Sequence, residues 1–171
     1  MFADLFNLKK IRMALLYVIY LILVLFLQDT IFARVSFLGV KMLFMPAAVV
    51  AVGMYEGGFR GGLFGLLAGY LCDMTFAENT VLFTVLFPCL GFAAGAAAEF
   101  WISHTFTAYL TTAAAGLLVT GLCQMVRVLL ADPGAILSAL LIVLLQTLWS
   151  LPMAAAVYVP VKHIHRRWQK I

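Results

Sequence analysis

Long apolar stretches separated by short polar or charged segments run along the whole chain. Division at charges, prolines and polar clusters leaves six stretches of about the length that crosses a bilayer as a helix. They cover about residues 13–33, 39–55, 58–76, 80–101, 106–130 and 135–160. The second stretch is short and Pro46 interrupts it, which predicts a kinked, tilted or partly re-entrant helix. The pattern predicts one all-α domain over residues 1–171, a bundle of six transmembrane helices.

Composition supports a membrane environment. Hydrophobic residues make up 65% of the chain and charged residues 11%, and the mean hydropathy is +1.11. Soluble domains are roughly half apolar and about a quarter charged. Six spans and their short connections use most of the 171 residues, so we expect an integral membrane protein with no separate soluble domain.

Basic residues predict the orientation of the bundle. They flank the first and last spans: Lys9, Lys10 and Arg12 at one end of the chain, and Lys162, Arg166, Arg167 and Lys170 at the other. Because lysine and arginine near span ends stay on the cytoplasmic side, both termini are expected to be cytoplasmic. These tails are suited to contact with membrane lipid headgroups and are too short for the extended basic surface that nucleic acid requires.

Glycines in the third span recur at every fourth position. The row comprises Gly57, Gly61, Gly65 and Gly69, and Asp73 occupies the next step of the series. Small residues at this spacing let two helix backbones approach closely within lipid, where association depends on van der Waals contact. The row therefore predicts a helix-packing surface, whose partner is either another helix of this chain or another protein.

The fourth and fifth spans contain related patterns. Gly91 and Gly95 are followed by Glu99 at the same spacing of four, which favours a packing partner within the chain. In the fifth span, Thr112 and Thr120 carry hydroxyls that can bond across helices.

Four polar residues are predicted near the outer ends of the helices: Asp73, Asn79, Arg127 and Asp132. A carboxylate in the hydrocarbon is costly unless it is paired or hydrated, so Asp73 is a candidate functional residue. An interfacial anchor is an equally weighted interpretation of Asp73. Arg127 lies near the end of the fifth span and can pair with either aspartate, which predicts an outer-side polar cluster that shapes a cavity or contact surface.

Sequence motifs for catalysis are not found. The chain contains no HExxH, no serine–histidine pair on adjacent turns and no P-loop. Cys72, Cys89 and Cys123 lie far apart in apolar segments, which predicts small buried side chains and no disulfide or thiolate metal site. We therefore predict no catalytic residues, no metal and no cofactor, and a protein that is not an enzyme.

Three segments mark the first half of the chain: Leu27-Gln28-Asp29-Thr30 after the first span, Leu38-Gly39-Val40-Lys41 before the second, and the glycine-rich helix that ends in Leu71-Cys72-Asp73. Together they resemble the MreD family of rod shape-determining proteins. The resemblance covers roughly residues 10–100. This chain departs from the family at Met42-Leu43, where the family often has a proline and an acid.

The resemblance implies a scaffold of the cell-wall elongation machinery in the bacterial inner membrane. Its implied partner is the membrane helix and juxtamembrane segment of MreC, which links it to MreB, RodA and the class B penicillin-binding protein. The family is similar in architecture to the S-components of energy-coupling-factor transporters. The alternative function is therefore vitamin binding, in a pocket lined by Asp73, Asn79, Thr80 and Arg127. S-components dock through alanines in span one, whereas this span one is bulky throughout, which favours the scaffold.

Overall fold

The computed structural model describes residues 8–32, 36–37, 40–75, 81–100, 105–131, 134 and 136–169, and within them the chain is an all-helical bundle, as the sequence predicts. The α-helices are α1 Leu8–Phe26, α2 Met45–Glu56, α3 Gly58–Thr75, α4 Leu82–Phe100, α5 Phe106–Ala131 and α6 Ile136–Gln169. Helix α1 continues as a π-helical segment over Leu27–Phe32. Two short strands, β1 Ser36–Phe37 and β2 Val40–Lys41, pair in antiparallel fashion before α2.

Four of the helices are long and apolar enough to cross a membrane: α1 with its π-helical extension, α4, α5 and α6. Helix α2 has 12 residues and is only about 18 Å long, whereas the hydrocarbon core of a bilayer is about 30 Å thick. Helix α3 has 18 residues, but Arg60, Asp73 and several glycines make it less apolar. The structure therefore supports a membrane protein, and helix length and composition together give four helices able to cross.

Successive helices run in opposite directions through the bundle. At one end Tyr17 of α1 and His165 of α6 both contact Glu56 of α2. At the other end Asp73 of α3 contacts Thr84 of α4. The start of α1 and the end of α6 therefore lie at the same end of the molecule. We call this the Glu56 end and the opposite one the Asp73 end.

Helix α2 forms the centre of the bundle. All ten residues from Met45 to Met54 are buried, and α2 packs against α3, α4, α5 and α6. A helix that is apolar on every side is stable only when other helices surround it. Pro46 lies in the first turn of α2, where its missing N–H removes no intrahelical hydrogen bond. The second helix is short, as predicted, but Pro46 does not kink it, because the helix begins at Met45 rather than near residue 39.

Three glycines meet where α2, α3 and α4 cross. A methyl group added to Gly61 of α3 would overlap the Cα of Gly53 in α2 and would lie 2.7 Å from the carbonyl oxygen of Gly91 in α4. A methyl group on Gly91 would lie 2.6 Å from the carbonyl carbon of Gly61. The three backbones thus touch directly, which only residues without a Cβ permit.

The remaining packing glycines extend this contact along α3 and α4. Methyl groups on Gly65 and Gly69 would each lie 2.6 Å from a backbone carbonyl carbon of α4, that of Phe87 and that of Phe83 respectively. A methyl group on Gly95 would lie 2.6 Å from the carbonyl carbon of Gly57. The glycine row therefore faces helices of the same chain and is not exposed to a partner helix.

Gly57 itself lies outside α3, at the junction with α2. Its φ of 88° is in the left-handed region that favours glycine, and its N–H donates to the carbonyl oxygen of Gly53 at 3.0 Å. Gly57 ends α2 and lets α3 start one residue later. Its principal role is therefore the tight turn, in addition to its contact with Gly95.

Two smaller predictions about side chains are wrong. The hydroxyls of Thr112 and Thr120 donate to carbonyl oxygens four residues earlier in α5, those of Ala108 and Gly116, and do not cross to another helix. This local bond is always within reach of a helical threonine. Cys89 is exposed and Cys123 is half-buried, so of the three cysteines only Cys72 is buried as predicted.

Candidate functional site

A buried carboxylate lies at the Glu56 end of the bundle. Glu56 is the last residue of α2, and its side chain is 3% exposed. The Tyr17 hydroxyl donates to Oε1 at 2.8 Å, and Arg60 Nη1 donates to Oε2 at 2.8 Å. His165 Nδ1 lies 3.3 Å from Oε1. A buried charge requires such partners, and here they come from three other helices, so Glu56 connects α1, α3 and α6 to the central helix.

The turn at Gly57 sets the geometry of the Glu56 and Arg60 pair. Because α3 begins one residue after Gly57, Arg60 lies in its first turn, and the Gly61 N–H donates to the Gly57 carbonyl oxygen at 3.0 Å. The two charged side chains are then four residues apart on neighbouring turns, the spacing at which helical ion pairs form. The Arg60 side chain is 59% exposed, so the pair has a buried anion and an outward-facing cation.

Aromatic side chains extend this cluster across the same end of the bundle. The Tyr55 hydroxyl donates to the Tyr158 hydroxyl at 2.6 Å, and the Tyr55 ring packs 5.1 Å from the His165 ring. Lys162 Nζ lies 5.3 Å from the centre of the Tyr158 ring, within the range of a cation–π contact. These contacts fix the last turns of α6 against α2.

A lateral groove opens beside the Glu56 cluster, between α1 and α3, with α2 as its floor. Its volume is about 290 Å³. The lining residues are Met13, Ala14, Tyr17, Val18 and Leu21 of α1, Val52 and Glu56 of α2, and Arg60, Leu63, Phe64 and Leu67 of α3. Tyr17 and Tyr20 stand between α1 and α3 and contact the Phe64 ring at centroid distances of 6.3 and 6.2 Å. These rings hold the two helices apart, so the groove remains open above α2.

Buried polar side chains also accept hydrogen bonds from the backbone N–H groups at the start of α2. Gln28 is 3% exposed, and its Oε1 accepts the Met45 N–H at 3.1 Å. Ser150 Oγ, on α6, accepts the Leu43 N–H at 3.2 Å. The first N–H groups of a helix lack intrahelical partners, and their burial without acceptors is costly. Gln28 and Ser150 thus allow a helix to begin inside an apolar bundle. Within the described ranges Gln28 Nε2 has no hydrogen-bond partner.

Asp73 accepts hydrogen bonds from the first turn of α4. Its Oδ1 accepts the Phe83 N–H at 3.2 Å, and its Oδ2 accepts the Thr84 N–H at 2.7 Å and the Thr84 hydroxyl at 2.6 Å. A carboxylate at a helix N-terminus satisfies unpaired N–H groups and interacts favourably with the helix dipole. Asp73 is therefore a cap for α4 that is supplied by α3.

The other members of the predicted outer-side cluster cannot be placed around Asp73. Asn79, Thr80 and Asp132 lie outside the described residues, as does the side chain of Arg127, whose backbone belongs to α5. Glu99, which follows Gly91 and Gly95 in sequence, is exposed at the Glu56 end.

The Glu56 cluster and the groove were not predicted from the sequence. The available signal was the spacing of four between Glu56 and Arg60, which is typical of a helical ion pair. Tyr17 and His165 gave no such signal, since their approach depends on how α1 and α6 pack.

The described side chains of the Glu56 cluster make contacts between helices. Over the searched portion of the chain, no three His, Cys, Asp or Glu side chains come close enough to hold a metal ion. The arrangement offers an apolar groove with a guanidinium at one end, which suits an amphipathic molecule.

Comparisons with known proteins give no relative. No family model matches the chain, and no curated protein and no solved structure matches it either.

Proposed function

We propose that the protein is a non-enzymatic scaffold of the cell-wall elongation machinery, with six membrane crossings and both termini in the cytoplasm of a bacterium. In this role it binds the membrane helix of MreC and helps to couple MreB to peptidoglycan synthesis by RodA and a class B penicillin-binding protein. The proposal of this machinery rests on the resemblance of residues 10–100 to the MreD family. No other observation names these partners.

Buried polar groups that connect different helices by hydrogen bonds are the observation that supports a scaffold role. Glu56, Gln28 and Asp73 each join different segments of the chain by hydrogen bonds. The Tyr109 hydroxyl does the same with the carbonyl oxygens of Ala47 in α2 and of Ala154 in α6. These hydrogen bonds mainly hold the helices in one arrangement. Such a frame presents constant outer surfaces to partner proteins, which is what a scaffold requires.

The proposed topology follows from the direction of the helices and the basic residues. The start of α1 and the end of α6 lie at the Glu56 end, together with the exposed Arg12 and Arg60. If this end is cytoplasmic, the basic residues obey the positive-inside rule. Helix α2 then completes the second crossing together with the short strands that precede it, since its own 12 residues are too few.

The partner helix is expected on an outer apolar face, because the packing glycines are already covered by α2, α3 and α4. Candidate faces are marked by exposed side chains of α1, α4, α5 and α6: Ile19, Phe92, Val119 and Leu144. Without a hydrophobic driving force between helices in lipid, such a contact depends on shape complementarity along one face.

Site-specific photo-crosslinking in cells tests this proposal. A photoreactive amino acid is placed singly at each of those four exposed positions, with buried Val49 of α2 as the matched control. We expect crosslinks to MreC from positions on one face, and none from the control. The absence of any MreC crosslink from all four helices, with the protein expressed and folded, would contradict the proposed function.

A further inference from the structure

The size of the groove between α1 and α3 restricts what can occupy it. Along α1 the groove extends over the nine residues from Met13 to Leu21, a rise of about 12 Å. The groove has a volume of about 290 Å³. A groove of this length and volume can accept a slender apolar chain such as a single acyl chain.

The chemistry of the groove changes from one end to the other. Val18, Leu63 and Leu67 form exposed apolar edges, so the groove opens sideways, toward acyl chains when the bundle lies in a membrane. The charged groups are confined to the Glu56 end, where Glu56 and Arg60 lie. This arrangement matches a molecule with a long apolar part and one polar head.

Charge identifies the head that fits. Glu56 is enclosed, and both of its oxygens already accept hydrogen bonds. Arg60 uses one of its five N–H donors on Glu56, and its side chain is 59% exposed. A guanidinium binds phosphate through paired, charge-assisted hydrogen bonds. Exposed Arg12, next to the lining residue Met13, adds a second positive charge at this end.

We propose that this groove binds one phospholipid molecule, with an acyl chain along the apolar wall of α1 and α3 and the phosphate on Arg60. Glu56 acts as the positioning group, because its hydrogen bond holds the guanidinium at the Glu56 end of the groove. The lipid site is independent of the proposed scaffold function and does not require MreC.

Native mass spectrometry of the full chain, released from detergent, measures this binding directly. The protein is titrated with phosphatidylglycerol and, separately, with a diacylglycerol that carries the same chains but no phosphate. Two variants alter the site: Arg60→Gln removes the guanidinium, and Ala14→Phe fills the groove from an exposed lining position. The matched control is Ala115→Phe, at an exposed position on α5 outside the groove.

The expected results separate the head from the chain. Ala115→Phe binds both lipids as the wild type does, and Ala14→Phe weakens binding of both. Arg60→Gln weakens phosphatidylglycerol binding by roughly tenfold or more, as expected for loss of charged hydrogen bonds, and leaves diacylglycerol binding unchanged.

Three results would overturn the proposal. If the Ala14→Phe variant binds lipid as tightly as the wild type, the lipid binds at another place on the protein. If Arg60→Gln weakens the binding of both lipids equally, the substitution acts through the structure of the protein, and Arg60 does not contact the phosphate. A photoreactive residue at Leu63 that captures a protein in the membrane, and no lipid, shows that the groove edge is a protein interface.

Discussion

The crossing of α2, α3 and α4 predicts that two adjacent glycines of α3 differ in their tolerance of a single methyl group. A methyl group at Gly61 would overlap the Cα of Gly53 and lie 2.7 Å from the carbonyl oxygen of Gly91. A methyl group at Gly62, one residue further along, would lie 3.6 Å from the carbonyl oxygen of Pro88, which is an ordinary contact. Gly61→Ala and Gly62→Ala are therefore a matched pair.

The magnitude follows from the distance that α4 must move. Ordinary Cβ contacts begin near 3.4 Å, so the gap at Gly91 must open by about 0.7 Å for Gly61→Ala. A gap of this size loses about a quarter to a half of the dispersion energy of each contact, and overpacking of this kind costs about 1–3 kcal/mol. The better helix propensity of alanine returns about 0.5–1 kcal/mol. Because the overlap with the Gly53 Cα requires α2 to move as well, the overpacking cost lies in the upper part of its range. We expect Gly61→Ala to lose about 1–2.5 kcal/mol net, and Gly62→Ala to gain up to about 1 kcal/mol.

Thermal unfolding of the purified variants in one detergent measures the difference. For a chain of this length, 1 kcal/mol corresponds to about 2–4 °C in the unfolding midpoint. Gly61→Ala should therefore unfold several degrees below the wild type, and Gly62→Ala at or above it. If Gly61→Ala proves as stable as Gly62→Ala, the backbones of α2, α3 and α4 do not touch at this point, and the central packing argument fails.

Three further predictions concern polar and thiol groups. Asp73→Ala should lower stability by about 0.5–2 kcal/mol in the same thermal assay, because the first N–H groups of α4 lose their acceptor; an unchanged midpoint would show that this cap contributes nothing. Gln28→Leu should lower the free energy of unfolding by about 1–3 kcal/mol, because the buried Met45 N–H loses its acceptor. Gln146→Leu, at a half-buried position on α6, should be nearly neutral. Equal losses from the two changes would contradict the capping role of Gln28. A membrane-permeant maleimide should leave buried Cys72 unmodified in the folded protein and modify it only after denaturation, which mass spectrometry of peptides can follow. Early modification of Cys72 would show that α3 is less enclosed than described.

The groove and the glycine crossing are consequences of the same packing. Helices α2, α3 and α4 lie close together because glycines bring their backbones into contact. Helix α1 has no such glycines in its sequence and meets α3 through bulky rings, those of Tyr17 and Tyr20 against Phe64. Close packing on one side of α3 and wider spacing on the other therefore produce an open groove above α2.

The sequence by itself determined the membrane character, the all-helical class and the presence of a close helix contact at the glycine row. Apolar run length and glycine spacing are local properties, and each acts through a short stretch of chain whatever its neighbours are. Pro46 was misjudged because the effect of a proline depends on whether it lies in the first turn or in the interior of a helix. The sequence pattern did not fix where that helix begins.

Only the tertiary structure decided which groups meet. Asp73 had two equally weighted interpretations until the start of α4 was found beside it. Glu56 drew no attention in the sequence, because its burial and its bonds to Tyr17 and His165 depend on how α1 and α6 dock onto α2. A carboxylate looks the same in every sequence, and its role is set by the donors and the solvent around it, which come from distant parts of the chain.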